Sequence, residues 1–218
     1  MAEGMLKLDE MAPEELTVCD HNKPVIDHFA SLGASVTQDN EAAARDADIV
    51  CVVVKPWVVE KTLKGIKDVM DYSRQILVVV AAGVSSSQIK TWTDKEGNTP
   101  QIFLAMPNIA IEFKESMTYM TPVDADDKNI KRVCDIFDQR GESIIIDEDH
   151  YPAATAPSCS IAYAMTYARA SIEGAVELGF KAKMSQKIVL QTMKGAISLL
   201  QQTGEHPEAA IDRVITPG

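Results

Sequence analysis

The sequence predicts an α/β protein: a doubly wound sheet over residues 1–150, followed by an all-helical segment over residues 151–218. Three observations carry this. Short apolar runs of strand length alternate with helical stretches as far as residue 150. Those runs stop abruptly on turn-forming or charged residues. From Tyr151 onward there is no strand signal, and alanine-rich helical sequence takes over.

Taken in order, Leu16–Cys19 (LTVC) reads as a short strand closed by Asp20. Pro24–Leu32 reads as a helix stopped by Gly33, which suits a left-handed C-cap. Ala34–Thr37 follows as a strand, and Asp39-Asn40 as the N-cap of the short helix EAAARDA. The branched run Ile49–Val54 predicts a strand buried on both faces, as in a parallel sheet. It halts on Lys55, which belongs where the strand leaves the core, and Pro56 suits the first turn of a helix from Trp57 to about Met70. Ile76–Val80 is the next strand, and Ser85–Ser87 cap a helix through Trp92. Lys95–Asn98 is a turn; Gln101–Ala105 and Met117–Thr121 are strands. Asp124–Gln139 is an amphipathic helix with Ile130, Val133, Cys134 and Phe137 at core spacing, and Ser143–Ile146 is the last strand.

In the second segment, Ser160 to about Leu178 is small or apolar most of the way round, Gly179 ends it, and Ser185–Gln202 supplies another helix. A helix apolar on most sides is buried on several of them. Packing on the first domain, on a second subunit, or on both is expected, and with it a homodimer or higher homo-oligomer.

Composition narrows the function classes. A net charge of −11 argues against nucleic acid and anionic membranes as partners. No apolar run approaches the roughly 20 residues of a membrane-spanning helix. The opening MAEGMLKLDE has neither the basic nor the apolar part of a secretory signal. Cys19, Cys51, Cys134 and Cys159 stand far apart, with no CxxC or Cys/His cluster to suggest a metal. Cys51 and Cys134, in apolar patterns, read as small core residues, and a reducing, cytoplasmic compartment is expected.

A dinucleotide fold opens with a strand, a glycine-rich turn and a helix. This chain opens in a helix-like segment, MAEGMLKLDEM, and contains no GxGxxG. By spacing, Leu16–Cys19 behaves as the second strand of such a fold. Either the domain binds no nucleotide, or it is Rossmann-like with its first strand and glycine loop missing from these 218 residues.

Several short stretches together resemble the pyrroline-5-carboxylate reductases. Met1-Ala2-Glu3 resembles the residues just after the glycine loop in that family, and Asp39-Asn40 its asparagine near the adenine ribose. Ala47–Pro56 (ADIVCVVVKP), Ala81-Ala82-Gly83-Val84, Met106-Pro107-Asn108, Gly204-Glu205-His206-Pro207 and Val214–Gly218 (VITPG) match its other motifs, in the same order along nearly the whole chain. There are departures. The family's Ser-Gly-Ser-Gly-Pro-Ala-Tyr turn appears as Ser158-Cys159-Ser160-Ile161-Ala162-Tyr163, its Thr-Pro as Ile109-Ala110, an arginine as Leu104 and a serine as Ile215. The family also continues past Pro-Gly, so a divergent member trimmed at both ends is expected.

The resemblance implies NADPH- or NADH-dependent reduction of 1-pyrroline-5-carboxylate, a cyclic imine, to proline, the last step of proline biosynthesis. It places cofactor binding at Met1, Ala2, Cys19, Asp20, Asn40, Val54, Lys55, Pro56, Ala82, Gly83 and Asn108, and substrate-carboxylate binding at Thr216, Pro217 and Gly218. A helical dimerisation segment and a partner subunit that completes the site are implied too. Two alternatives stay open: a non-catalytic or regulatory relative, and a reductase of another imine or carbonyl.

The chemistry can also be argued from the residues. Reducing a cyclic imine needs a hydride donor held about 3–3.5 Å from the carbon. With the ring nitrogen already protonated, uncharged donors that orient the ring suffice. The absence of Lys and His from Ser160–Leu178 fits this, and counts against the β-hydroxyacid dehydrogenases, which place a catalytic Lys there. Ser158 and Ser160, read as the start of the long helix, are the candidate catalytic donors, although a serine before a helix is also explained by N-capping. Asn108 is the third candidate, explained equally by an Asx turn, and Gly83 either admits the cofactor or breaks the strand. Lys55 either lines the crevice or snorkels. Asp20, closing the second strand, favours NAD, while His21, Asn22 and Lys23 could instead accept a 2′-phosphate. His28, His150 and His206 read as structural or solvated, and Asp147-Glu148-Asp149 as a solvated loop.

Overall fold

Four branched residues in a row, Ile76–Val79, leave a strand no polar side to show to water, and all four are buried completely. The structure, a computed structural model, describes residues 1–7 and 11–216, in two compact units, Met1–Cys159 and Ser160–Gly218. The first unit contains α1 (Ala2–Met5), β1 (Thr17–Cys19), α2 (Lys23–Ser31), β2 (Ser35–Thr37), α3 (Asn40–Arg45), β3 (Ile49–Val52), α4 (Pro56–Ile66), β4 (Ile76–Val79), α5 (Ser86–Thr93), β5 (Gln101–Met106), β6 (Ser116–Val123), α6 (Asp127–Asp138) and β7 (Gly141–Ile145). The helix α7 (Thr155–Glu177) begins in it, and α8 (Ala182–Thr203) and α9 (Pro207–Asp212) lie in the second unit.

The strands form two sheets. β1 and β2 pair in parallel, and a five-stranded sheet runs β3-β4-β5-β6-β7. β3, β4 and β5 are mutually parallel; β6 is antiparallel to β5 and parallel to β7. β1 and β2 make a sheet of their own, and β3 and β7 are the edges of the five-stranded sheet.

Side-chain alternation on β4 and β5 builds a core on each face. Leu77, Val79, Ile102 and Leu104 pack with Val59, Leu63 and Ile66 of α4 and Ile89 of α5. Ile76, Val78, Phe103 and Ala105 pack with Met5 of α1 and with Val133 and Phe137 of α6. Burying each large apolar side chain contributes about 1.5–3 kcal/mol. Among the polar side chains buried with this core is Gln75, 1% exposed, directly before β4. Its Nε2 donates to the carbonyls of Ala44, at 2.7 Å, and Ala47, and its Oε1 accepts from the Asp71 N–H at 2.6 Å. The turn between α3 and β3 is thereby fixed to the foot of the central strand.

Caps formed as their sequences suggest. Asp39 accepts from the N–H groups of Glu41 and Ala42, Ser85 and Gln88 form a reciprocal capping box, and Asp126 accepts from the Asn129 N–H at 2.8 Å. At Gly141, φ is +139° and a Cβ would overlap the backbone of Ser116, so only glycine lets β7 start this close to β6.

Some expectations need correction. The opening helix ends at Met5, and the rest of its expected span runs into residues 8–10, which lie outside the described residues. The run Ile49–Val54 is a strand only to Val52 and is not buried on both faces: Cys51 and Val53 are exposed, so Cys51 is not a core residue. The reason is topological, since β3 is an edge of the five-stranded sheet, where cover is thinner than over β4. Glu148 does not sit in a solvated loop. It accepts from the Ser86 N–H at 2.7 Å and from the Ser86 hydroxyl, capping α5 from 62 residues away.

In the second unit, Tyr163, Tyr167, Leu178, Met184 and Ile197 are all more than half exposed. α9, which the sequence reading did not anticipate, starts with His206 as its N-cap, Nδ1 accepting from the Glu208 N–H, and Pro207 in its first turn.

Two outcomes are expected from this arrangement. Gln75→Leu removes the donor to the buried Ala44 carbonyl and the part-buried Ala47 carbonyl and the acceptor of the Asp71 N–H, and lowers unfolding free energy in urea titration by about 2–3 kcal/mol. The Asp126 carboxyl is held below its usual range, first by the Asn129 N–H and then by the Gln101 side chain. A depressed folded pKa gives stability that is complete above the unfolded value of about 4 and disappears as pH falls through the folded one. The pH-dependent part of the Tm loss in Asp126→Ala should therefore be present at neutral pH and vanish in strong acid.

Candidate functional site

Because β3, β4 and β5 run parallel, the segments that follow them leave the sheet at one carboxyl edge, the edge where open α/β sheets bind ligands. Val54-Lys55-Pro56 follows β3. Lys55 is extended and exposed at the N-cap position of α4, without a side-chain cap, and Pro56 opens that helix. Ala82 and Gly83 follow β4, both exposed between buried Ala81 and Val84. Gly83 has φ +78°, and a Cβ there would meet nothing within 4 Å. Its glycine is thus required by the backbone, and the space beside it is open.

Asn108 follows β5. Its N–H donates to the Ser116 hydroxyl at 3.2 Å, and its Oδ1 accepts from the Ala110 N–H at 2.9 Å, starting a 3-10 turn over Ile109–Phe113. The Asx-turn reading is therefore realised. The same turn is compatible with a ligand role, since Oδ1 is fixed and Nδ2 makes no hydrogen bond among the described residues.

A second feature lies beyond β1 and β2. A cleft of about 490 Å³ is walled on one side by Asp39, Asn40 and Glu41 and on the other by Val58, Lys61 and Thr62 of α4. Cys19 and Asn40, predicted together, are brought together: the thiol donates to Asn40 Oδ1 at 3.1 Å. Burial, then the Asp39 and Asp20 carboxylates, push the Cys19 thiol up, which keeps it protonated as a donor. Asp20 closes β1, and its Oδ1 accepts from the Asn22 N–H at 2.8 Å. The α4 wall escaped sequence reasoning, yet Val58, Lys61, Thr62 and Gly65 recur at helical spacing beside the core stripe of Val59, Leu63 and Ile66.

Met1 and Ala2 begin α1, whose next face approaches Ile111: a Cβ on Gly4 would lie 3.0 Å from the Ile111 carbonyl oxygen. The serines are not where the sequence placed them. α7 starts at Thr155, so Ser158 and Ser160 lie inside the helix and are not N-caps. The Ser158 N–H is already bonded to the Ala154 carbonyl at 3.1 Å, and the N–H groups of Thr155 and Ala156 are bonded too. This helix start offers no row of free amides; what Ser158 and Ser160 can offer is hydroxyls. Ser158 is buried and Ser160 exposed. The cause is the absence of the glycines and proline that would break the helix here. Thr216 is exposed at the end of the second unit, and Pro217 and Gly218 lie outside the described residues. Among the described residues, no three His, Cys, Asp or Glu side chains are grouped to hold a metal, and no helix is long and apolar enough to cross a membrane.

Comparison with known proteins gives matches at both ends of the chain. The model described as NADP oxidoreductase, coenzyme F420-dependent, matches residues 1–83, and that described as pyrroline-5-carboxylate reductase dimerisation matches residues 148–218. Pyrroline-5-carboxylate reductase 1 of Dictyostelium discoideum is 31% identical over 230 residues, spanning all of this chain and 41% of the relative. Pyrroline-5-carboxylate reductase 2 of the same organism is 34% identical over 199 residues, spanning 85% of this chain and 66% of the relative. The chain thus spans from about two fifths to just under two thirds of these two relatives. Among solved structures, Plasmodium falciparum pyrroline carboxylate reductase with NADP bound superposes with a TM-score of 0.88 at 25% identity, covering all of this chain and 79% of that one.

Proposed function

Since the chain belongs to the pyrroline-5-carboxylate reductase family, we propose that it reduces 1-pyrroline-5-carboxylate, or a close cyclic imine, to proline with NADPH or NADH, as a homo-oligomer. The observation that carries this reading is the pair of family matches at the two ends of one chain. We assign residues 1–150 to the cofactor and 151–218 to dimerisation and substrate.

The residues of the first unit fit a dinucleotide. The cleft of about 490 Å³, with Asn40 held by the Cys19 thiol, has the size and polarity for an adenosine half. Exposed Gly83 and Ala82, with Val54, Lys55 and Pro56, follow the strands at the parallel edge, where the cofactor would lie, and by resemblance Met1 and Ala2 correspond to the residues just after the family's glycine loop. When bound, the reduced nicotinamide would supply the hydride that turns the CH=N carbon of the protonated imine into CH2. The chain's own part is orientation. Asn108, pinned to β6 through Ser116, presents Nδ2 as a fixed donor at that edge. By resemblance to the family, the Ser158 and Ser160 hydroxyls would orient the ring, and Thr216, Pro217 and Gly218 of a partner subunit would hold its carboxylate. A reaction that starts from the protonated imine asks for no stronger acid.

One observation favours a second reading. With α7 running straight through Ser158–Ser160, the glycine-containing turn of the family is replaced by helix, which suits a relative that binds dinucleotide without turning over.

The test is oxidation of NADPH and of NADH by the purified protein with 1-pyrroline-5-carboxylate, alongside direct dinucleotide binding. Turnover is expected, and Ser158→Ala should lower kcat roughly tenfold or more with Tm unchanged. Binding without turnover would establish the non-catalytic reading. Lys55→Glu is expected to raise the Kd of both dinucleotides several-fold, more so at low salt; an unchanged Kd removes Lys55 from the crevice.

A further inference from the structure

We propose that Glu148 is a positioning residue for the reduction: through Ser86 it fixes the loop of Ala82 and Gly83, where the dinucleotide would lie, relative to Ser158 on α7. The proposal rests on the reductase reading of the parallel edge and adds a residue to which that reading gives no part.

The loop joins β4 to α5. Ala82 and Gly83 are exposed in it, and Ala81 and Val84 on either side are buried. Ser86, buried as well, opens α5. Its N–H donates to Glu148 Oε1 at 2.7 Å and its hydroxyl to Oε2. Both carboxylate oxygens thus meet one residue, which fixes the direction of the side chain as a single bond would not. The helix has a local cap without this contact. Ser85 Oγ accepts from the Gln88 N–H at 3.3 Å, and Gln88 Oε1 accepts from the Ser85 N–H at 3.0 Å. What Glu148 adds is a tie between two segments 62 residues apart.

On its other side, Glu148 is joined to Ser158 by overlapping backbone bonds. The Tyr151 N–H donates to the Glu148 carbonyl at 3.0 Å, the Ala154 N–H to the His150 carbonyl at 3.0 Å, and the Ser158 N–H to the Ala154 carbonyl at 3.1 Å. Tyr151 is buried in the same core cluster as Ala81 and Val84, the residues that bracket Ala82 and Gly83. The segment that carries Glu148 is therefore anchored in the core within one turn of its carboxylate. Hydride transfer holds donor and acceptor carbons about 3–3.5 Å apart, and a displacement of about 1 Å can cost on the order of 100-fold in rate. A rigid link between the loop beside the dinucleotide and the helix bearing the candidate orienting hydroxyl suits so narrow a tolerance.

Turnover of 1-pyrroline-5-carboxylate with NADPH and with NADH is measured on the full chain for the wild type, Glu148→Ala, Glu148→Gln, Ser86→Ala and the double variant Ser86→Ala/Glu148→Ala, at a temperature where circular dichroism shows each fully folded. Glu148→Ala should lower kcat about tenfold or more and change KM for either dinucleotide less than about threefold. In Glu148→Gln the amide oxygen still accepts from the Ser86 N–H and the amide nitrogen donates to the Ser86 hydroxyl, so kcat should return to within about threefold of wild type. Because Glu148 acts through Ser86, the double variant should lose no more than Glu148→Ala alone. A role in stability alone would lower Tm and leave kcat per folded molecule unmoved. An unchanged kcat in Glu148→Ala, no rescue by Glu148→Gln, or losses that multiply in the double variant overturns the proposal and leaves the reductase reading standing. A wild-type chain without turnover overturns the reductase reading itself, and the proposal with it.

Discussion

Everything in the first unit depends on the burial of β4 between two parallel neighbours. With both faces dry, its side chains can serve only as core, and chemistry is left to the segments where the strands stop. The parallel ladder gathers the ends of β3, β4 and β5 on one edge, whatever residues those ends carry. The fully buried Gln75 is the one polar investment at the foot of this strand. Its Nε2 donates to the Ala44, Arg45 and Ala47 carbonyls at the α3–β3 turn, and so holds in place the short helix whose beginning walls the cleft.

The alternation of strands and helices was legible because local signals agreed with one another. Asp39 and Ser85 cap helices as their positions suggest, Pro56 opens α4, and Val133 and Phe137 face inward at helical spacing. Family motifs likewise located the edge residues. What was not legible depends on distant neighbours. An apolar run looks the same in the middle of a sheet and at its edge, so the exposure of Cys51 and Val53 could not be read from Ile49–Val54. Glu148 meets Ser86 across 62 residues of sequence, and nothing in an acidic triplet announces a remote cap. Nor did Ser158 and Ser160 betray that α7 begins ahead of them, because serine is tolerated in a helix and favoured before one.

The candidate site residues of the first unit are also structural ones. Asn108 turns the chain after β5 with one end of its amide and leaves the other unpaired; Asp20 fixes its own loop with one oxygen and leaves the second. Burial, and after it the Asp39 and Asp20 carboxylates, keep the Cys19 thiol protonated and so able to donate to Asn40. In each case a local turn supplies the rigidity that orientation requires, at no further conformational cost when a ligand arrives.

The start of β7 ties a distant position to the candidate site. Gly141 pairs with Ser116, and a Cβ on it would overlap the Ser116 backbone. Ser116 in turn holds the Asn108 N–H through its hydroxyl. A side chain at Gly141 would therefore displace Ser116 and, through it, the turn that fixes Asn108, so a change of one hydrogen to one methyl is felt two strands away, at the end of β5.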